Sequence, residues 1–98
     1  MAEDLNVRNN LAVLYYNQGK YTDAIRNLRV LVSSEPENPS FHYDLAVNLV
    51  DRFRNTDEKS IDDLFEALRE YELVNGLSPG YENSVNNIAA LKEVLKVE

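Results

Sequence analysis

Cysteine is absent from the 98 residues of this chain, and glycine and proline occur only three times each. Without a thiol, disulfide bonds, thiol catalysis and thiolate metal sites are excluded. The few glycines and prolines fall between blocks of periodically spaced apolar residues, which favours a mostly helical chain with short turns. The length fits one domain with a modest core.

Basic residues are also scarce, since ten lysines and arginines stand against seventeen acids and the formal net charge is −7. Nucleic acids and anionic membranes attract clusters of bases, and no basic stripe exists, so neither is an expected partner. The polar N-terminus is unlike a signal peptide, and the apolar runs are far shorter than a membrane span. A cytoplasmic protein is the default expectation, and a segment of a longer chain would have the same features.

Motifs for catalysis and metal binding are missing as well. The chain has no Ser/His/Asp set, no HExxH and no glycine-rich phosphate loop. His42 is its one histidine, and Asp44 follows two residues later, a spacing that does not share a helix face. We therefore expect a packed or surface role for His42, no enzymatic activity, and neither a cofactor nor a metal.

One short block recurs three times. It reads NNLAVL at 9–14, YDLAVN at 43–48 and NNIAAL at 86–91. The alanines Ala12, Ala46 and Ala89 are 34 and 43 residues apart, and Pro36 and Pro79 each precede the next of these alanines by ten residues. Self-similarity at such a period indicates a repeat architecture.

Apolar residues at helical spacing predict five helices. In chain order they are Leu5, Leu11, Ala12, Leu14 and Tyr15; Ala24, Ile25, Leu28, Leu31 and Val32; Leu45, Ala46, Leu49 and Phe53; Ile61, Leu64, Phe65, Ala67, Leu68 and Tyr71; Val85, Ile88, Ala89, Leu91 and Leu95. The alanines within these stripes would let helix axes approach closely.

The ends of the helices have recognisable signals. Asp4 and Asn38 are suitable N-caps, and Gly19 suits the turn after the first helix. Ser60 with Asp63 resembles a capping box. The dipeptide Asn75-Gly76 is expected to end the fourth helix, and Ser78-Pro79 to open the fifth.

The second unit is longer than the first. Ala46 and Ala67 are 21 residues apart, whereas Ala12 and Ala24 are 12 apart, so nine residues are extra. About seven of them would add two helical turns. We therefore predict a taller hairpin, with Phe53 and Ile61 packed and a short loop at 55–59.

Several residues follow one known consensus. The first unit contains Leu11-Ala12-x2-Tyr15, Gly19-x-Tyr21-x2-Ala24, Leu28 and Pro36. The second contains Leu45-Ala46-x2-Leu49, Ala67-x3-Tyr71 and Pro79, and the last contains Ile88-Ala89. In these positions the chain resembles the tetratricopeptide repeat, a 34-residue helix–turn–helix unit. It departs from the family at Lys92, where tyrosine is preferred, and at Arg8 and His42, which occupy the tryptophan position.

The resemblance implies an all-α fold of antiparallel helix-turn-helix repeats that stack as an α-solenoid of five helices. It divides the single domain, 1–98, into one repeat at about 5–38, a second at about 39–78 with the insertion, and a capping helix at about 80–96. Such repeats are binding scaffolds, in which the first helices of successive units line a concave groove for a peptide.

Carried onto this chain, the peptide-binding groove comprises Asn9, Asn10, Val13, Tyr16, Asn17, Tyr43, Asp44, Val47, Val50, Asp51, Asn83, Asn86 and Asn87. No base occurs among them, and Asp44 would repel a carboxylate, so a chaperone-type carboxylate clamp is not expected. A neutral or basic protein segment with apolar anchors fits better. The alternative is a structural or assembly module, either a homo-oligomer such as a homodimer or part of a longer array.

Overall fold

The computed structural model describes residues 4–97, and within that range it has five α-helices and no strand. The helices are α1 (Leu5–Asn17), α2 (Tyr21–Ser34), α3 (Pro39–Asn55), α4 (Ile61–Leu77) and α5 (Ser84–Leu95). Each packs chiefly on its neighbours in the chain, so that α1 lies on α2, α2 on α3, α3 on α4 and α4 on α5. The molecule measures 45 × 32 × 18 Å. The predicted all-α class with five helices is confirmed.

The predicted N-caps of α1 and α3 are confirmed by their hydrogen bonds. The carboxylate of Asp4 accepts from the main-chain N–H groups of Asn6 and Val7 at 2.9 and 3.4 Å. The Asn38 side chain accepts from the N–H of Ser40 at 3.0 Å. Each cap satisfies a main-chain donor that has no partner within its helix, and this defines where the helix begins.

The core lies between consecutive helices and is organised around small residues. Ala24, Ala46 and Ala67 have no exposed surface, and Ala12 is 3% exposed. Larger side chains, among them Ile25, Leu28, Leu31, Leu49 and Val74, fill the space around them. Because a methyl group keeps the helix axes close, a larger side chain at these alanines would force the pair apart.

Several residues that periodicity assigned to the core are exposed instead. They are Leu11, Leu14, Ile61, Phe65, Val85 and Ala89. Among the described residues, α1 and α5 are the outermost helices, and each packs chiefly on one neighbour. The side chains of Leu11, Leu14, Val85 and Ala89 point away from that neighbour and have no second helix to cover them within residues 4–97. Ile61 and Phe65 lie on the face of α4 that neither α3 nor α5 covers.

The long second hairpin is helical almost to its tip. Helix α3 continues to Asn55 and α4 begins at Ile61, so the loop has the predicted length but covers 56–60, one residue later than expected. The Thr56 hydroxyl donates to the Arg52 carbonyl at 2.7 Å, and the Lys59 ammonium donates to the Phe53 carbonyl at 2.7 Å. These bonds satisfy carbonyls of the last turn of α3, so the loop is an ordered cap.

Two details of this hairpin differ from the prediction. Ile61 is 51% exposed rather than packed. Ser60 precedes α4 but makes no side-chain cap, and the Asp63 N–H donates to the Ser60 main-chain carbonyl at 3.0 Å. The Asp63 carboxylate binds the guanidinium of Arg52 at 2.8 and 2.7 Å. The bidentate ion pair joins α3 to α4, and its strength explains why Asp63 does not turn back to the start of its own helix.

The connection to α5 also differs from the prediction. Helix α4 continues through Gly76 to Leu77, and α5 begins at Ser84, after the expected start at Ser78-Pro79. Gly80 and Glu82 have φ angles of +78° and +46°, a left-handed conformation that a right-handed helix cannot contain. Residues 78–83 therefore form a turn, and α5 is shorter than the predicted capping helix.

His42 is buried and structural, as expected. Its Nδ1 lies 2.7 Å from a carboxylate oxygen of Glu70, and its Nε2 lies 2.7 Å from the Pro36 carbonyl. Since a carbonyl oxygen only accepts, Nε2 must carry a proton and donate. The ring thus fastens α3 both to α4 and to the turn that precedes it.

None of the helices in the described part of the chain combines the length and the apolar character needed to cross a membrane.

Candidate functional site

Helices α1, α3 and α5 border two neighbouring cavities. The first, of about 230 Å³, is named the α1–α3 cavity and is lined by Asn9, Ala12, Val13, Tyr16, Leu28, Tyr43, Asp44, Val47 and Asn48. The second, of about 370 Å³, is named the α3–α5 cavity and is lined by Val50, Phe53, Arg54, Leu64, Tyr71, Asn87, Ala90, Leu91 and Val94. The amide of Asn87 donates to the Tyr43 hydroxyl at 3.5 Å, so the two cavities adjoin.

The predicted groove residues divide between these cavities and the open surface. Six of them line the α1–α3 cavity, namely Asn9, Val13, Tyr16, Tyr43, Asp44 and Val47. Val50 and Asn87 line the α3–α5 cavity. Asp51 lines neither cavity but accepts a hydrogen bond from Tyr16. The asparagines Asn10, Asn17, Asn83 and Asn86 are exposed and border neither cavity.

Aromatic contacts fix the position of Tyr43, which lies where the two cavities adjoin. The ring of Tyr43 packs edge-to-face against Tyr71 on α4, with centroids 5.4 Å apart, and against Tyr81 in the α4–α5 turn at 5.6 Å. Such pairs contribute about 1 kcal/mol each beyond the area they bury. Tyr43 is thereby restrained from two sides, and the shape of the α1–α3 cavity is largely preformed.

Tyr16 spans the outer edge of the α1–α3 cavity. Its hydroxyl donates to the Asp51 carboxylate at 2.7 Å, which joins α1 to α3. This hydrogen bond, together with burial, raises the pKa of Tyr16 to about 12, because ionisation would place a phenolate beside a carboxylate. The hydroxyl proton of Tyr16 is therefore committed to Asp51.

Asp44 is the one acidic residue that lines the α1–α3 cavity. Burial raises the pKa of this carboxyl to about 6, since its charged form loses hydration. Among residues 4–97 no side chain forms an ion pair or a hydrogen bond with this carboxylate. A partly desolvated charge without a partner disfavours the free protein, and such groups are frequent at functional sites.

Sequence reasoning missed several residues that shape the site. Asn48 is buried in the α1–α3 cavity, and Tyr81 supports Tyr43 from a segment that was expected to be helical. Phe53 and Arg54 line the α3–α5 cavity, whereas the sequence pattern assigns them only to the long hairpin. Asn48 lies four residues after Asp44, a spacing that places both on one helix face and offered a usable signal.

Among residues 4–97 no group of three or more His, Asp or Glu side chains is placed to hold a metal ion. In comparisons with known proteins, the sequence matches no protein-family model and no curated protein. The candidate site therefore rests on the residues and their geometry.

Proposed function

We propose that this chain is a tetratricopeptide-like interaction module that binds a peptide segment of a partner protein across α1, α3 and α5. The observation that carries the proposal is the pair of adjoining cavities bordered by alternate helices. Six of the predicted groove residues line the first of these cavities. Peptides are commonly bound in grooves whose separate pockets accept successive side chains.

The size and lining of the cavities support a peptide rather than a cofactor. The volume of about 230 Å³ is below the range of about 300–1,000 Å³ for drug-sized ligands, and the volume of about 370 Å³ is near its lower end, so each cavity suits one or two side chains. Valines and tyrosines provide apolar contact in the first cavity, and the Asn87 carboxamide lies where the two cavities adjoin. A carboxamide both donates and accepts, so it can pair with any peptide main chain.

A peptide selected from a displayed random library would provide the ligand for a test. Val13 is 49% exposed at the first cavity, and Leu73 is 44% exposed on α4 and borders neither cavity. Val13→Lys should weaken binding at least about tenfold by placing a charge in an apolar contact, whereas Leu73→Lys should leave the affinity unchanged. Fluorescence polarisation measures both. Equal affinities for the two variants would contradict the proposal.

The second candidate function, an assembly module, is favoured by one observation on α1. Val7, Leu11 and Leu14 lie on one face of this helix and are 54%, 39% and 51% exposed. An exposed apolar stripe of this kind often marks an interface between chains. If assembly is the function, sedimentation at tens of micromolar protein will show a dimer that Leu11→Glu dissociates. A monomer at that concentration rules out the homo-oligomer.

A further inference from the structure

Two residues that line the α1–α3 cavity have a buried side-chain oxygen without a donor. Asn48 is 4% exposed, and its amide nitrogen donates to the Asp44 carbonyl at 2.9 Å. Because a carbonyl oxygen only accepts, the nitrogen of the carboxamide must be the atom that faces it. The other atom, Oδ1, is buried without a hydrogen-bond partner, and the Oδ1 of Asn9 is in the same situation.

The remaining polar groups of this cavity add further acceptors. The Asp44 carboxylate has no partner among the described residues. The Tyr16 hydroxyl donates its hydrogen bond to the Asp51 carboxylate at 2.7 Å, so its oxygen can only accept from a ligand. A buried acceptor without a donor disfavours the free protein, and a ligand that supplies the donor removes that penalty.

The walls of the cavity suit an aliphatic chain that ends in a positive charge. Val13 and Val47 line it beside the rings of Tyr16 and Tyr43, and no lysine or arginine lines it. Long basic side chains place their methylene groups against apolar surface, and their charged ends are attracted to aromatic faces. The formal net charge of −7 favours the approach of such a ligand.

Other occupants fit these observations less well. A volume of about 230 Å³ is small for a cofactor. Calcium and magnesium are usually held by several carboxylates or carbonyls, and Asp44 is the single carboxylate that lines the cavity. A neutral apolar side chain would leave the acceptors of Asn48 and Asp44 unpaired.

We infer that the α1–α3 cavity binds the cationic side chain of a lysine or arginine of the partner segment. Asp44, which lines the cavity and has no partner among the described residues, is its counter-ion. The inference rests on the proposed function and specifies which side chain of the bound peptide the α1–α3 cavity recognises.

A direct test uses small probes, so that no partner needs to be known. The wild-type protein is labelled with ¹⁵N and titrated with N-acetyl-lysine N-methylamide, with the arginine analogue, and with the norleucine analogue, which has the stem without the charge. We expect saturable shifts of the Asn48 side-chain amide and of the Val13 and Val47 main-chain amides with a basic probe. Norleucine should shift them little.

The matched variants are Asp44→Asn and Asp57→Asn. Asp57 is exposed in the α3–α4 loop and borders neither cavity. Because a charge-assisted hydrogen bond contributes about 1.5–3 kcal/mol, Asp44→Asn should weaken binding of the basic probe about tenfold or more. Asp57→Asn should bind as the wild type does. Unchanged binding to Asp44→Asn, or equal shifts with norleucine, would overturn the inference.

The outcomes also separate this inference from the proposed function. If library peptides bind through Val13 but show no preference for lysine or arginine, and the basic probes cause no selective shifts, the inference fails and the function stands. If the basic probes bind but no peptide is sensitive to Val13→Lys, the cavity has its assigned ligand and the peptide-binding function fails.

Discussion

Replacing Asp44 by asparagine should make the free protein more stable at neutral pH. Asp44 lies within α3, where burial raises its pKa from 3.8 to about 6 and no described side chain pairs with it. Asparagine has nearly the same shape and helix propensity but carries no charge. The substitution therefore removes an unfavourable ionisation and leaves the packing of α3 largely intact.

The sign follows from proton binding in the two states. The unfolded carboxyl ionises near pH 3.8, whereas the folded one retains its proton up to about pH 6. Between these values the folded state binds more protons, so stability falls as pH rises through that window and stays lower above it. The groups whose ionisation is coupled to Asp44 are Tyr16 on α1 and Tyr71 on α4, and both stay neutral there because their pKa values are raised.

The magnitude can be bounded. A pKa that is higher by about two pH units corresponds to about 3 kcal/mol, at 1.36 kcal/mol for each unit. The carboxyl retains contact with solvent, which screens its charge, so a gain of about 1 kcal/mol is the realistic expectation for Asp44→Asn. For a domain of this size, that gain corresponds to a rise in Tm of about 4–8 °C.

Thermal unfolding followed by circular dichroism at 222 nm, at half-unit steps from pH 4 to 8, would measure the effect. The difference in Tm between Asp44→Asn and wild type should be near zero at pH 4 and reach its full value above pH 6. Asp57→Asn, at an exposed loop position, should show no such step. An Asp44→Asn variant that is less stable than wild type at pH 7, or a difference independent of pH, would refute the reasoning.

Three further predictions concern stability and can be measured by urea unfolding. Asp63→Ala should lower the free energy of unfolding by about 3 kcal/mol, because it leaves the Arg52 side chain, which is 15% exposed, without its bidentate partner. The control, Arg26→Ala, breaks an exposed ion pair and should change stability by less than about 0.5 kcal/mol. His42→Leu and Glu70→Leu should each lower the free energy of unfolding by about 2 kcal/mol, because each leaves a buried polar group unpaired. The double variant should lose less than the sum of the two. Strict additivity would show that the 2.7 Å contact between His42 and Glu70 contributes nothing to stability. Gly76→Ala should stabilise the protein by about 0.5–1 kcal/mol, since the added Cβ meets open space within α4. Gly19→Ala should destabilise the protein by about 1 kcal/mol, because the φ angle of Gly19 is +73°. Effects of the same sign would contradict this reasoning.

The local features of the fold could be predicted because their causes are local in the sequence. Asp4 and Asn38 cap the helices that begin immediately after them, and Gly19 takes the left-handed conformation its turn requires. The buried alanines were found from their spacing. The length of the α3–α4 loop followed from counting turns, since a helix adds residues at a constant rise.

The incorrect predictions share a different cause. Periodicity shows that Leu11 and Leu14 on α1, and Val85 on α5, belong to apolar faces, but whether such a face is covered depends on a second helix, and none within residues 4–97 covers them. Likewise, Ser60 and Asp63 have the spacing of a capping box, yet Asp63 binds Arg52 from the adjacent helix. A partner eleven residues away competes with the local one, and only the packing of α3 on α4 determines which of them forms.

The candidate site shows the same division. The sequence by itself determined that five helices form, where α1 and α3 begin, and which residues of α1 and α3 lie on one side, because helical spacing depends only on position along the chain. The tertiary structure alone decided that Asn48 is buried beside Asp44, that Tyr81 supports Tyr43, and that Tyr16 donates to Asp51. Burial and unpaired hydrogen-bonding atoms are properties of how separate helices meet, and these properties give the α1–α3 cavity its chemistry.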